Sequence, residues 1–320
     1  MYSPIISLRE ENVGVIPPPP GVTPNFINPP SRQHIILITN IILPLVSLLF
    51  ATLRLYTTGI ITRSVGSDDY MIALSWLLAC ASSSIQCLLT RYGAGLHLWD
   101  VPFSTFNVHF FKLGAIAGTF YGLSIMFSKL SILVLLLRYL PQKPKKAIYT
   151  TMVVVILYSL ITSFVWLYAC QPIEKYWDLS ITRGSCIKWT TVFVSSGVMN
   201  TVTDSVILLL PIFMLRKVRL PRWEKIGLVL VMMTGGFVLV ISIIRLKTSV
   251  DMASNPDIAW ESACIGIWMN IEQHTAIVCA CLPVGKAFIR KHFPCVVDYT
   301  FNNFGTCGED NGGFRGLRAT

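Results

Sequence analysis

Apolar windows about 20 residues long recur along this chain, and no other feature limits its folding so strongly. Each could form a helix that crosses a hydrocarbon core of roughly 30 Å. They cover residues 35–53, 70–90, 113–137, 148–170, 190–215, 226–247 and 263–284. The fifth is diluted by Ser, Thr and Asp204, and the seventh contains Glu272 and His274. Only 13% of the 320 residues are charged and 53% are hydrophobic, with a mean hydropathy of +0.61. Soluble domains run near a quarter charged, so the surround must be largely non-aqueous. No connecting segment is long enough to hold a globular domain. The expectation is an all-α polytopic membrane protein, a seven-transmembrane helical bundle over 35–284. A Pro-rich tail at 1–34 precedes it and a Gly- and Asn-rich, disordered tail at 285–320 follows.

Residues 1–34 are polar and include "PPPPGVTPNFINPP", which is neither a secretory signal nor a segment with a regular hydrogen-bonded fold. The first window is expected to act as its own insertion signal. Basic residues in short loops set orientation. One side collects Arg54, Arg63, Arg138, Lys143, Lys145, Lys146, the cluster Arg216, Lys217, Arg219, Arg222, Lys225, and the basic residues of the tail. The other side holds fewer: Arg9, Arg32, Arg91, Lys112, Lys175, Arg183, Lys188, Arg245 and Lys247. The richer side is expected to be cytoplasmic, which puts the N-terminus outside and the C-terminus inside. The net charge of +10 lies in these loops beside the membrane, so it argues for the lipid bilayer as partner and against nucleic acid.

Cys170 and Cys186 flank the loop between the fourth and fifth windows on the outer side. In an oxidising compartment two cysteines closing a short loop form a disulfide, the alternative being two free thiols. Cys80, Cys279 and Cys281 fall inside windows and read as packing residues. Cys295, just past the last window, reads as a cytosolic thiol or a palmitoylation site. No Cys/His cluster has metal-ligand spacing, so no metal is expected.

Charges inside spans are rare and usually face the bundle interior. Here they are Lys129, Asp204, Arg245 and Glu272, with His274 beside the last. At about 1.5 Å per residue, Lys129 lies about 13 Å from the cytoplasmic boundary, Asp204 about 18 Å and Glu272 about 21 Å. Lys129 and Asp204 are close enough in depth to meet if their spans are neighbours, and Glu272 is the next partner for the lysine. The competing reading of Lys129 is snorkelling, but its stem reaches only about half the required distance. Arg245, near the outer end of its window, is expected as an interfacial anchor, and His274 as a hydrogen-bonded packing residue. At the cytoplasmic ends, Asp68 or Asp69 is expected to pair with Arg54 or Arg138.

Chemistry other than binding finds little support. A retinal Schiff base needs a lysine in the last span, and "ACIGIWMNIEQHTAIVCACLPV" has none. Ser128 and Ser131 flank Lys129, yet small hydroxyls are ordinary helix-packing residues in membranes. Gly93-Ala94-Gly95 lacks the strand-to-helix setting of a phosphate loop. No catalytic residue and no cofactor are expected, and the chain reads as a non-enzyme.

A scattered but ordered series of residues carries a resemblance. It comprises Arg54-Leu55-Tyr56, Asp68-Asp69-Tyr70, Tyr92-Gly93-x-Gly95-x-His97 and Lys129-Leu130-Ser131 with Arg138. Cys170-x-Pro172-Ile173 with Trp177 and Cys186 follows, then Asp204 with Pro211, Ser242-Ile243-x-Arg245, and Ile271-Glu272 ahead of Leu282-Pro283. Taken in order over roughly 35–290, these resemble the fungal rhodopsin-domain family of seven-transmembrane integral membrane proteins. The resemblance implies receptor-like proteins of the plasma membrane, some tied to surface sensing or to secondary-metabolite gene clusters. On that basis the chain is expected to be a sensor of the G-protein-coupled type. Its partners would be an unknown extracellular ligand and a cytosolic signalling protein at the loops between spans 3–4 and 5–6. Two alternatives stand beside it. One is a small-molecule or proton transporter using Lys129, Asp204 and Glu272; the other is a membrane accessory protein of a secondary-metabolite pathway.

Overall fold

The computed structural model describes residues 15–102, 108–139, 145–177, 181, 183–215, 222–254 and 257–292. Seven long α-helices run through them: α1 Gln33–Tyr56, α2 Ser67–Leu89, α3 Val108–Tyr139, α4 Lys146–Phe164, α5 Trp189–Leu215, α6 Arg222–Ser254 and α7 Ile258–His292. Six are long and apolar enough to cross a membrane. The seventh, α7, is diluted by the polar run Asn270, Glu272, Gln273 and His274, all of it buried inside the bundle. The chain is an all-α, multi-pass membrane protein.

Sequence neighbours pack side by side, and α7 closes the ring against α1. The α3 helix crosses the middle, touching α2, α4, α5 and α7. Accordingly 56% of its apolar window is buried, against 17–28% for the other five. The outward faces are apolar because lipid is their solvent. On α1, Ile38, Ile41, Ile42, Leu45 and Leu49 form an exposed stripe at helical spacing. The inward faces are small and hydroxylated, which lets helix backbones approach closely. Between α2 and α3, Ser75 Oγ donates to Ser124 O at 2.8 Å and lies 2.7 Å from Ser128 Oγ. Ser124 Oγ returns a bond to Ser75 O at 2.9 Å.

Local signals explain several helix ends. Gly66 caps α2 in an extended conformation, and its N–H donates to Asp69 Oδ2 at 3.1 Å. Asp68 and Asp69 sit in the first turn, where acidic side chains suit the helix dipole. Beyond α1, the chain widens into a π-helical turn at Thr57–Ile61. Most observed helices are longer than the apolar windows, because polar residues extend them past the hydrocarbon.

The end of the bundle where α1 begins is called the upper end here. Residues 15–32 contain neither helix nor strand, but they are fastened across this end rather than hanging free. Val15 N donates to Leu98 O at 3.0 Å and Arg32 N to Gly95 O at 2.9 Å. Asn25 N donates to Asp100 Oδ1 at 2.8 Å, while Val15 and Ile16 pack on Leu98, Val101 and Ala259. Between α4 and α5 a two-stranded ribbon, β1 Cys170–Gln171 against β2 Ser185–Cys186, carries the Cys170–Cys186 disulfide. Gly184 turns into β2 with φ +92°, and a Cβ there would lie 2.0 Å from Gln171 O. Only glycine fits that position. The loop cluster Arg216–Arg219, Lys143, Cys295 and the tail beyond 292 lie outside the described residues, as do residues 1–14.

Candidate functional site

Four charged side chains meet inside the bundle with balanced formal charge. Lys129 Nζ on α3 lies 2.9 Å from Asp204 Oδ1 on α5. It also donates to Asn200 Oδ1 at 2.9 Å, Thr203 Oγ1 at 2.8 Å, Asn200 O at 3.2 Å and Tyr158 OH at 3.3 Å. An ammonium with three hydrogens among five oxygens lacks for nothing, and the side chain turns inward rather than snorkelling. Asn200 and Asp204 stand four apart on α5, so one helix face delivers both.

The second pair sits beside the first. Arg245 Nε on α6 lies 2.7 Å from Glu272 Oε2 on α7, and Tyr121 OH on α3 donates to the same oxygen. The other carboxylate oxygen, Glu272 Oε1, accepts from Asn200 Nδ2 at 2.7 Å and lies 2.5 Å from Ser242 Oγ. Ser242 Oγ also stands 2.7 Å from Asp204 Oδ2, which accepts from Asn200 Nδ2 at 3.1 Å. Asn200 and Ser242 therefore stitch the two ion pairs into one network spanning α3, α5, α6 and α7, with Tyr158 of α4 at its margin. Arg245 is only 1% exposed, which corrects the expectation of an interfacial anchor. The α6 helix runs to Ser254 rather than stopping near 247, leaving Arg245 about 13 Å inside its end. Glu272 thus pairs directly with Arg245 and Tyr121, and it joins Lys129 through Asn200 rather than by a direct contact. His274 lies within 2.8 Å of Ser47 Oγ and 3.2 Å of Ser83 Oγ through its two ring nitrogens.

Above this network the helices part around a cavity of about 420 Å³. Its walls come from the upper ends of the helices and include Phe110, Phe111, Trp166, Tyr176 and Phe193, with Gly114 and Gly118 keeping it open. Network residues Tyr121, Tyr158, Asn200 and Arg245 also line it. Small-molecule sites occupy roughly 300–1,000 Å³, mostly apolar with a few convergent polar groups, and this one has both traits.

A separate charge cluster closes the opposite, lower end. Arg54 Nη2 lies 2.5 Å from Asp68 Oδ2, and Arg54 Nε 2.8 Å from Asp69 Oδ1. Its Nη1 donates to Ala280 O of α7 at 2.5 Å, so one buried guanidinium ties α1, α2 and α7 together. Arg138 approaches Asp68 Oδ1 less closely, at 3.7 Å, with its side chain 42% exposed, and donates to Ser64 O at 3.0 Å. Near the upper end, His97 is stacked between Trp99 and Trp260, with ring centroids 4.4 and 3.9 Å away. Its Nδ1 lies 2.5 Å from Asp257 Oδ2, and Arg32 sits over the Trp260 ring at 4.0 Å.

Tyr121 and Asn200 escaped sequence reasoning because uncharged polar residues are common in membrane helices, and Ser242 entered it only as part of the Ser242-Ile243-x-Arg245 series, without a role. Spacing held one signal: Ser242 and Arg245 are three apart, and Asn200 and Asp204 four apart, so each pair shares a face. Among the described residues no group of His, Cys, Asp and Glu could hold a metal ion.

Comparison with known proteins supplies the lineage. The chain is 28% identical over 207 residues to a SAT4 family membrane protein of Emericella nidulans, covering 63% of this chain and 52% of that one. It is 24% identical over 260 residues to the polyenoic acids biosynthesis gene cluster protein Ba17b of Metarhizium anisopliae, covering 77% and 71%. A third relative, the satratoxin biosynthesis SC1 cluster protein 4 of Stachybotrys chartarum, is 28% identical over 40% of this chain and 45% of its own. This chain thus spans about half the length of the first relative. No solved structure matches it. A fungal rhodopsin domain matches residues 53–291, and the chain belongs to that family.

Proposed function

We propose that this protein is a receptor-like sensor of the plasma membrane. In this reading α7 is a seventh span, residues 1–34 face outward, and the tail is cytoplasmic. A small molecule enters the upper cavity, and its presence reaches a cytosolic signalling protein at the α3–α4 and α5–α6 connections. One observation carries the reading: the floor of the cavity is the network itself. A molecule that touches Tyr121, Asn200 or Arg245 touches side chains bonded to α3, α5, α6 and α7 together. Its contacts can therefore differ between two packings of those helices, which any ligand-driven shift requires. The burial of Asn270, Glu272, Gln273 and His274 inside the bundle supports α7 as a span, since polar residues in membranes turn away from lipid.

The test is proximity labelling from the α5–α6 connection in cells. Recovery of a heterotrimeric G-protein α subunit, reduced in Arg138→Ala, is expected. Equal recovery from an unrelated multi-pass protein would sink the sensor reading. A second reading, an accessory protein of a biosynthetic pathway, draws on the names of two relatives. It predicts that deleting the gene lowers a secreted small-molecule product without changing G-protein recovery.

A further inference from the structure

The polar groups in the wall of the upper cavity differ in what they have left to give, and most are already spent. Tyr121 OH donates to Glu272, Tyr158 OH to Asn200 Oδ1 at 3.1 Å, and Asn200 Nδ2 to Glu272 and Asp204. The hydroxyls of Thr162, Ser196 and Ser262 donate to carbonyls of their own helices, at 2.9, 3.1 and 3.1 Å. Each has used its one hydrogen and keeps only lone pairs. Gln86 of α2 is the exception. It lines the cavity and is 9% exposed, yet its carboxamide makes no hydrogen bond with any described residue. Ser159 Oγ and Ser163 Oγ are sealed behind the wall, whereas the oxygen and nitrogen of Gln86 both keep accessible surface. Its Oε1 lies beside Gly266 of α7, another lining residue, 3.3 Å from where a Cβ would stand there. A carboxamide so nearly buried and without partners costs free energy that a bound molecule can return.

Charge and hydrogen count decide what that molecule is. Among the described lining residues there is no carboxylate, and the one charged group, Arg245, is already paired with Glu272. An ion of either sign would therefore enter a low-dielectric site without a counter-charge. An ether or ester oxygen would accept from the Gln86 amide nitrogen but leave Oε1 and the hydroxyl lone pairs unmet. A hydroxyl group both donates and accepts, so it answers both ends of the carboxamide. The rest of the molecule must be apolar, because Phe110, Phe111, Trp166 and Phe193 supply the walls. We infer that the cavity binds an uncharged, mostly hydrocarbon alcohol, its hydroxyl donating to Gln86 Oε1 and accepting from Gln86 Nε2. That this binding triggers a signal rests on the sensor reading; the binding itself does not.

Full-length protein in lipid nanodiscs would be titrated with tritiated hexanol, octanol, decanol and dodecanol, with protein-free nanodiscs as the partition blank. The methyl ethers, carboxylates and alkanes of the same chain lengths serve as competitors. The expected result is saturable binding of at least one alcohol, displaced about tenfold less well by its methyl ether and its alkane. Gln86→Leu should weaken the alcohol by about tenfold and leave the alkane unchanged. Thermal unfolding of the unliganded variant should be unchanged or raised, since the amide gives up no hydrogen bond within the protein. A Cβ added at Gly114 or Gly118 meets no atom within 4 Å, and both line the cavity. Gly118→Phe should therefore fill the space and abolish binding, with Gly114→Leu as the second blocking variant. Nanodiscs with and without ergosterol separate two sources of one chemistry: displacement assigns the site to a bilayer alcohol, its absence to one arriving from water, and both sustain the inference. Tighter binding of the carboxylate would overturn the charge argument. Equal binding of the ether or the alkane by the unaltered protein would overturn the role of Gln86, as would full alcohol binding by Gln86→Leu. Absence of saturable binding, or binding untouched by both glycine variants, would overturn the proposal outright. Alcohol binding without G-protein recovery would leave this inference standing and remove only the sensor reading.

Discussion

The two charge clusters of the bundle use similar chemistry and are built differently. At the lower end, Arg54 takes Asp68 and Asp69 from the start of the next helix, across one short connection. In the interior, Lys129, Asp204, Arg245 and Glu272 come from four helices and meet only once all four are in place. The lower cluster locks neighbours that the chain has already brought together, and Arg54 adds one remote contact to Ala280 O. The interior cluster instead specifies which faces of distant helices must turn inward. A polar tie that is local sharpens a turn, whereas one that is remote selects a packing.

Substitutions can break or sharpen this contrast, and the largest effect is expected at Glu272. Glu272→Ala leaves Arg245 buried without its carboxylate, so a loss of roughly 3–5 kcal/mol is expected. Thermal unfolding in nanodiscs would measure it. Adding Arg245→Met should recover most of the loss, since removing both partners together is often neutral. If the double variant is as unstable as the single one, the pair is not the unit described here.

Arg54→Ala should also cost several kcal/mol by leaving two buried carboxylates uncompensated. Arg54→Lys should recover only part, because an ammonium cannot reproduce the forked contacts to both aspartates. Full recovery by lysine would show that charge alone, and not geometry, holds that corner. Removing the disulfide with Cys170→Ser and Cys186→Ser should cost about 2–4 kcal/mol by the loop-entropy model. Non-reducing unfolding against the parent protein reads it.

Arg138→Ala ranks last for stability, at about 1 kcal/mol or less, because its side chain is 42% exposed and exposed pairs contribute little. Its effect on G-protein recovery should nonetheless be large if the sensor reading holds. That separation of stability from output makes Arg138 the sharpest probe of the lower cluster.

How much was legible follows the same division. The apolar windows revealed helices because a chain in lipid must satisfy its backbone within each segment, a constraint local to about 20 residues. The nearness of Arg54 to Asp68 and Asp69 was legible because one short connection joins their helices. Lys129 and Asp204 could be matched by depth, a quantity that counts along each helix. Arg245 was misplaced because the end of α6 was read at the edge of its apolar run, whereas the helix continues to Ser254. Among the polar uncharged members, Tyr121 and Asn200 were not singled out in the sequence, and Ser242 stood out only as a neighbour of Arg245 in an ordered series, with nothing to say what it would bond. The cavity gave no signal either, since a gap between helices is not a property of any one of them.

The sequence by itself determined that this protein is helical, multi-pass and poor in surface charge, since hydropathy and backbone satisfaction act within single segments. Its ordered residues also determined its lineage. Only the tertiary structure decided that Arg245 pairs with Glu272, that Asn200 and Ser242 join two ion pairs into one network, and that an apolar cavity rests on it. The reason is rotational. Hydropathy sets how deep each residue lies, but the turn of each helix about its own axis is set by packing against its neighbours, and that turn selects which side chains meet.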